Sequence, residues 1–141
     1  MNLNYSFKHI RLAPGFVVKE PIIRARLFGK NGKSLETSGV LDTGSDCMLI
    51  PLEIAETIGL EFSEKKKETA KSYSGSTMTT TKSKVKVRVE RKREHIEFEV
   101  RCMILLDENS QHEDIIFGST FLENFRCIFD YPRNRFQLKE R

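Results

Sequence analysis

Apolar and polar residues alternate with a period of two over much of this chain, and that period predicts strands. Ile22-Ile23-Arg24-Ala25-Arg26-Leu27-Phe28 is one such stretch, and Gly29-Lys30-Asn31-Gly32 then turns the chain into a return strand from Leu35 to Leu41. Lys84 to Glu90 is a strand whose Val85, Val87 and Val89 alternate with Lys84, Lys86 and Arg88. Arg91 to Glu94 is a polar turn, after which Ile96, Phe98, Val100, Cys102 and Ile104 give one apolar face to a longer strand. Ile115-Ile116-Phe117-Gly118 is apolar throughout, as a strand covered on both faces would be, and Arg126 to Tyr131 and Arg135 to Leu138 close the chain around a Pro132-Arg133-Asn134 turn. Two places follow the helical period instead. Pro51 opens a helix with Ile54, Ala55 and Ile58 as its apolar stripe and Gly59 as its stop. Thr120-x-x-Glu123 has the pattern of a capping box and predicts a short helix through Phe125. The expected class is mainly β with two short helices.

Between these elements lie segments of lower apolar content. Ser72 to Thr81 is small, rich in hydroxyls and centred on Gly75, which reads as an exposed hairpin tip, and Asp107 to Asp114 is a polar loop. In residues 1–20 the signals are a Pro14-Gly15 turn and a short Phe16-Val17-Val18 strand. That segment is an arm, a dimer strand or a self-cleaved leader, and the residues leave the three open.

One stretch stands apart. Val40-Leu41 runs straight into Asp42-Thr43-Gly44-Ser45, and a second apolar run, Met48-Leu49-Ile50, follows. A strand thus ends in a carboxylate set among apolar neighbours, where a lone acid costs several kcal/mol unless it is hydrogen-bonded, paired or protonated. Gly44 permits a tight reversal, and Thr43 and Ser45 bring hydroxyls. An isolated Asp-Thr-Gly is also an ordinary turn between two strands; the apolar flanks on both sides favour a functional acid.

Composition narrows the classes. A chain of 141 residues, 38% of them hydrophobic, can build one core, and one domain spanning 1–141 is expected. No apolar run approaches the roughly 20 residues that cross a bilayer, so no membrane partner and a cytoplasmic location are expected. Cys47, Cys102 and Cys127 are odd in number and widely spaced, and read as buried free thiols; no metal site or cofactor motif appears. The net charge of +4 is concentrated: Lys65 to Arg93 holds eleven Lys and Arg against two Glu. That segment raises the question of nucleic acid, but its Lys–Val alternation is what the wet face of a half-buried strand looks like, and Tyr73 alone could stack on a base.

With these elements in order, the chain resembles the retropepsin-like aspartic proteases, the single-domain members of the pepsin clan. The matching features are the apolar-Asp42-Thr43-Gly44-Ser45 segment followed by Leu49-Ile50, a Gly75-tipped hairpin in the place of the flap, the apolar strand ending in Gly118, and a short helix after it. The resemblance extends over residues 20–139 in element order. It implies an acid-protease half-barrel in which the Val40-Leu41 and Ile115–Phe117 strands thread together beneath the active site. It also implies a homodimer, because one chain brings one Asp-Thr-Gly and the chemistry takes two carboxylates. Two such acids a few Å apart share a proton; one activates a water and the other polarises the scissile carbonyl. Asp42, Thr43 and Gly44 would then be the catalytic set, with Thr43 locking the two turns across the dimer. Ser45, Asp46, Tyr73, Gly75, Ile116 and Gly118 would bind a peptide or protein substrate, Ser45 also donating to the Asp42 carboxylate.

The chain departs from the family in two ways. Family members pair the acid at the Asp46 position with an Arg just after the second-motif Gly, where this chain has Ser119; Arg126, Arg11 or a base from the partner chain would have to serve. The flap is also longer and more polar, with Tyr73 and Met78 as the residues that could cover substrate. Leu41, Leu49, Ile50 and Ile116 are expected to make apolar pockets. Two other classes stand beside the peptidase: a non-proteolytic dimerisation or peptide-binding module on the same fold, and a binder of nucleic acid or acidic partners through Lys65 to Arg93.

Overall fold

The computed structural model describes residues 1–71, 75, 77–107 and 115–141. The N-terminal segment forms β1 (Asn2–Ser6), β2 (Lys8–Ala13) and β3 (Phe16–Glu20), and the first strongly alternating stretch forms β4 (Ile22–Phe28) and β5 (Ser34–Leu41). β6 (Met48–Pro51) and helix α1 (Leu52–Ile58) follow the Asp42 turn. The flap side is built from β7 (Glu68–Lys71) and β8 (Thr77–Arg91), then come β9 (Glu94–Leu105), β10 (Ile115–Phe117), helix α2 (Ser119–Leu122), β11 (Phe125–Asp130) and β12 (Arg135–Glu140).

Turn chemistry places these strands where the pattern predicts. Asn31 and Gly32 take positive φ (56° and 74°) between β4 and β5, Lys92 does so between β8 and β9, and Asn134 between β11 and β12. Gly59 closes α1 at φ 70°. β8 is longer than its Val alternation suggests, because Thr77–Thr81, read above as part of the hairpin tip, already pair with β7 and with the end of β9. The remainder of that tip, apart from Gly75, and residues 108–114 of the polar loop lie outside the described residues.

Seven strands form one sheet in the order β4-β5-β10-β6-β9-β8-β7, and β4 also pairs with β8, so the sheet rolls up on itself. Inside the roll, Ile23, Ala25 and Leu27 meet Val85, Val87, Val89, Val100, Cys102 and Ile104, with Ile115 and Phe117 running through the middle. β10 lies parallel to β5 in the register Ile116↔Val40 and antiparallel to β6 through Ile116↔Leu49. The two apolar strands therefore do thread together under the Asp42 turn.

The Lys side chains of β8 face solvent, and four of the basic segment's eleven Lys and Arg pair with glutamates. Lys84 pairs with Glu99, Lys86 with Glu97, Arg88 with Glu97 and Glu90, and Lys82 with Glu68. Such exposed pairs contribute little to stability, but they leave less unpaired positive charge on β8 for a polyanion to meet.

A second sheet, β1-β12-β11, packs Leu3, Tyr5, Phe7, Phe136 and Leu138 into the same core. Tyr5 stacks on Phe136 at 5.0 Å, and its buried hydroxyl has no hydrogen-bond partner among the described residues. Burial pushes that phenol up to about 12, with Arg91 opposing. A raised folded-state value means the fold resists ionisation, so this contribution is whole below pH 10 and is lost as pH climbs toward 12. Tyr5→Phe is therefore expected to be as stable as wild type or about 1 kcal/mol more stable at neutral pH, since an unmade buried hydrogen bond is removed. Its advantage should widen at pH 11. Urea midpoints at the two pH values check this, and a variant clearly less stable at neutral pH would contradict it.

Candidate active site

β5 delivers Leu41 to the core, and the next four residues fold back over the end of β10. The Asp42 N–H donates to the Phe117 carbonyl at 3.0 Å, and the Ser119 N–H donates to the Ser45 carbonyl at 2.8 Å, so the loop is pinned at both ends to residues flanking Gly118. Ser45 N–H closes the turn on the Asp42 carbonyl at 3.2 Å. Within it, Gly44 N–H donates to Asp42 Oδ1 at 2.8 Å, the local Asx bond that Asp-x-Gly favours. This holds the half-buried carboxylate in one orientation, with no side-chain partner among the described residues.

Two hydroxyls near this turn do other work than the sequence suggests. Ser45 Oγ donates to the Cys47 carbonyl at 2.8 Å rather than to Asp42, because the chain bends to bring its own next carbonyl nearer. Thr120 is not a helix cap. α2 is a single turn whose N-cap position is Gly118 with no side-chain cap, and Phe125, expected within this helix, begins β11. The buried Thr120 Oγ1 instead accepts from Met48 N–H at 2.9 Å and donates to the Arg101 carbonyl at 2.7 Å. It bridges β6 and β9 from behind, where both strands would otherwise have unmatched groups.

In front of the turn lies an open cleft of about 340 Å³. Asp42, Gly44, Ser45 and Asp46 form its floor, Leu49, Ile116, Met103 and Leu105 its apolar wall, and Ala70, Lys71 and Met78 reach it from the flap strands. Leu41 and Ile50 are core residues at 5% and 0% exposure and line no part of it. Thr43 is exposed on the turn, and Gly118 backs the loop rather than facing the cleft. Gly75 has an open surrounding at φ 86°, and Tyr73 lies outside the described residues.

Among the lining residues that went unread in the sequence are Met103, Leu105 and Cys47. The parallel register Leu49↔Met103 and Pro51↔Leu105 turns Met103 and Leu105 to the cleft, alternating with the core-facing Cys102 and Ile104. The outward half of that alternation was the available signal. Cys47 is the third; expected as a buried thiol, it is only half-buried and opens on the cleft, as Cys127 is half-buried elsewhere. Burial first, then the neighbouring Asp46, push the Cys47 thiol up, which keeps it protonated and a poor nucleophile. Burial drives Cys102 up to about 12.

Asp46 is exposed, and among the described residues neither Arg126, Arg11 nor any other base pairs with it. Asp107, by contrast, accepts from Thr79 N–H at 2.6 Å and fixes β8 where it enters the flap.

A carboxylate clamped by backbone at the foot of an apolar cleft under a hairpin is the arrangement the resemblance implies. The family model described as aspartyl protease matches residues 23–121, which contain the Asp42 turn, the flap strands, β10 and most of α2. The chain belongs to the aspartyl protease family. The protease also shares the fold of a retropepsin-like aspartic protease from Rickettsia conorii, at a TM-score of 0.59 and 17% identity over 98% of this chain and 90% of that one. The EIAV protease, complexed with the inhibitor HBY-793, aligns at 18% identity and a TM-score of 0.48 over 74% of this chain and 86% of its own. No curated protein matches the protease sequence. No helix among its described residues is long and apolar enough to cross a membrane.

Proposed function

We propose that the protease acts as a homodimeric endopeptidase in which Asp42 of each protomer contributes one carboxylate to a shared site. The observation that carries this reading is the fixed Asp42 at the floor of a cleft that a single chain leaves with one catalytic acid. Gly44 N–H occupies Oδ1, which leaves Oδ2 to face a water and the second carboxylate. The pair holds one proton, because two adjacent negative charges repel strongly. The ionised member takes a proton from the water as its oxygen attacks the scissile carbonyl, and the protonated member donates to the carbonyl oxygen. Collapse of the resulting diol breaks the C–N bond and passes a proton to the leaving amine. Thr43, exposed at the tip of the turn, would bond across the dimer, and Asp46, also exposed, would meet substrate backbone or a base from the second copy.

Leu49, Ile116, Met78, Met103 and Leu105 would receive bulky apolar side chains on either side of the cut. Digestion of a mixed peptide library, with cut sites mapped by mass spectrometry, tests this. Cuts between large apolar residues at acidic to neutral pH are expected. A dimeric protein that cuts nothing would move the reading to a peptide-binding module on the same fold.

A further inference from the structure

The rolled sheet leaves no large apolar side chain exposed among its described residues. Those that are exposed (Met1, Leu12, Phe16, Val17, Ile128 and Tyr131) all belong to the terminal sheet or to the β2–β3 hairpin beside it. The hairpin is the extreme case. Neither strand buries a residue, and its end carries Leu12, Phe16 and Val17 at 59%, 57% and 56% exposure. β2 and β3 pair only with each other, and an isolated two-stranded hairpin is marginal in water. An apolar tip on such a hairpin needs cover that the described residues do not provide.

The root of the hairpin tells which way to look for that cover. At one side Phe7 stacks on Tyr131 at 4.4 Å, His9 Nε2 bonds Asn134 Oδ1 at 2.9 Å, and Lys19 Nζ donates to the Tyr131 carbonyl at 2.8 Å, so the root is fixed to the β11–β12 turn. At the other side β3 runs into Pro21, whose carbonyl accepts from Leu41 N–H at 2.9 Å, one residue before Asp42. The hairpin therefore springs from beside the catalytic turn. If two Asp42 carboxylates meet, the two-fold axis passes close to this root, and a hairpin whose longer strand has 6 residues reaches on the order of 20 Å from it.

We infer that the β2–β3 hairpin is an arm that each protomer lays on a second copy of this chain, burying Leu12, Phe16 and Val17 against the copy's terminal sheet, where Ile128 and Tyr131 are exposed. The inference rests on the dyad reading above and adds to it where the copies hold each other. A two-fold exchange covers both tips at once and leaves no apolar end to recruit further chains, which a one-sided contact would not achieve. The tip stands apart from the cleft lining, so the arm assembles the site without taking part in the chemistry.

Sedimentation velocity over a dilution series of the full chain tests the arm, comparing wild type with Phe16→Asp and with Leu12→Asp/Val17→Lys. Circular dichroism confirms that each variant folds, as substitutions at exposed positions should allow. Each variant is expected to raise the dimer Kd by on the order of a hundredfold, while cleavage at saturating protein concentration is retained. Amide exchange gives a second readout: residues 10–18 should be protected in concentrated wild type and not in dilute wild type. Variants that dimerise as tightly as wild type, with exchange at 10–18 independent of concentration, would overturn the arm while leaving the dyad intact. A wild type that cleaves peptides as a monomer at every concentration would overturn the dyad and the arm together.

Discussion

Asp42→Asn is expected to lower kcat/KM by about three orders of magnitude or more while leaving the fold intact, the loss that removal of a general acid–base group produces. The asparagine keeps an oxygen for the Gly44 N–H, so the 2.8 Å bond that orients the side chain survives and the turn has no reason to move. What is lost, at both positions of the proposed dimer, is the ability to hold or release a proton. KM should change little, because the apolar wall of Leu49, Ile116, Met103 and Leu105, proposed above to receive substrate, is untouched. Cys47, a potential nucleophile in the cleft, is held as a thiol by burial and by Asp46 and cannot substitute for the acid–base group. Steady-state kinetics on one peptide from the library checks this, and a variant retaining more than about a tenth of wild-type activity would contradict an acid–base role for Asp42.

Gly118→Ala should be the most damaging single methyl at the candidate site. A Cβ there would run into the Cys47 carbonyl oxygen and would lie 2.6 Å from the Ser45 oxygen and 2.7 Å from the Cys47 carbonyl carbon. These are backbone atoms of the Asp42 loop, so no rotamer change relieves the overlap. Relief requires the loop to lift off β10, which breaks the Asp42–Phe117 and Ser119–Ser45 bonds that pin it. The expected cost is about 3 kcal/mol, seen as a lower urea midpoint, together with loss of activity in whatever protein remains folded. A variant within about 1 kcal/mol of wild type and still active would show that the close packing behind Asp42 is not needed.

The parts legible in the sequence are those where local chemistry and tertiary packing agree. Val85, Val87 and Val89 face inward because their neighbours are long cations that do better in water, and Asn31 and Asn134 turn the chain because they tolerate positive φ. The Asp42 turn was legible for the opposite reason: an acid between two apolar runs contradicts the local pattern. What stayed hidden depends on residues brought together from far along the chain. Thr120 has the spacing of a cap, yet Met48 and Arg101 claim its hydroxyl once β6 and β9 lie parallel. Ser45 was assigned to Asp42 by adjacency, and the path of the loop gave it Cys47 instead. Met103 and Leu105 look like the lesser face of a strand until β6 pairs beside them and shows that face to be the wall of the cleft. Within the first twenty residues only the Phe16–Val18 strand was read; β1, whose Leu3 and Tyr5 alternate with polar residues, is ordered by Phe136 and Leu138, which lie at the far end of the sequence.

The central claim is that one active site takes an Asp42 from each of two chains, and subunit mixing tests it most directly. Wild type and Asp42→Asn are combined at fixed total concentration, allowed to exchange, and assayed as the wild-type fraction is varied. Random pairing leaves about a quarter of the dimers with two Asp42 in an equimolar mixture, so activity should fall as the square of the wild-type fraction. Activity falling in simple proportion to that fraction would mean that each chain works alone, and the shared carboxylate pair would have to be abandoned.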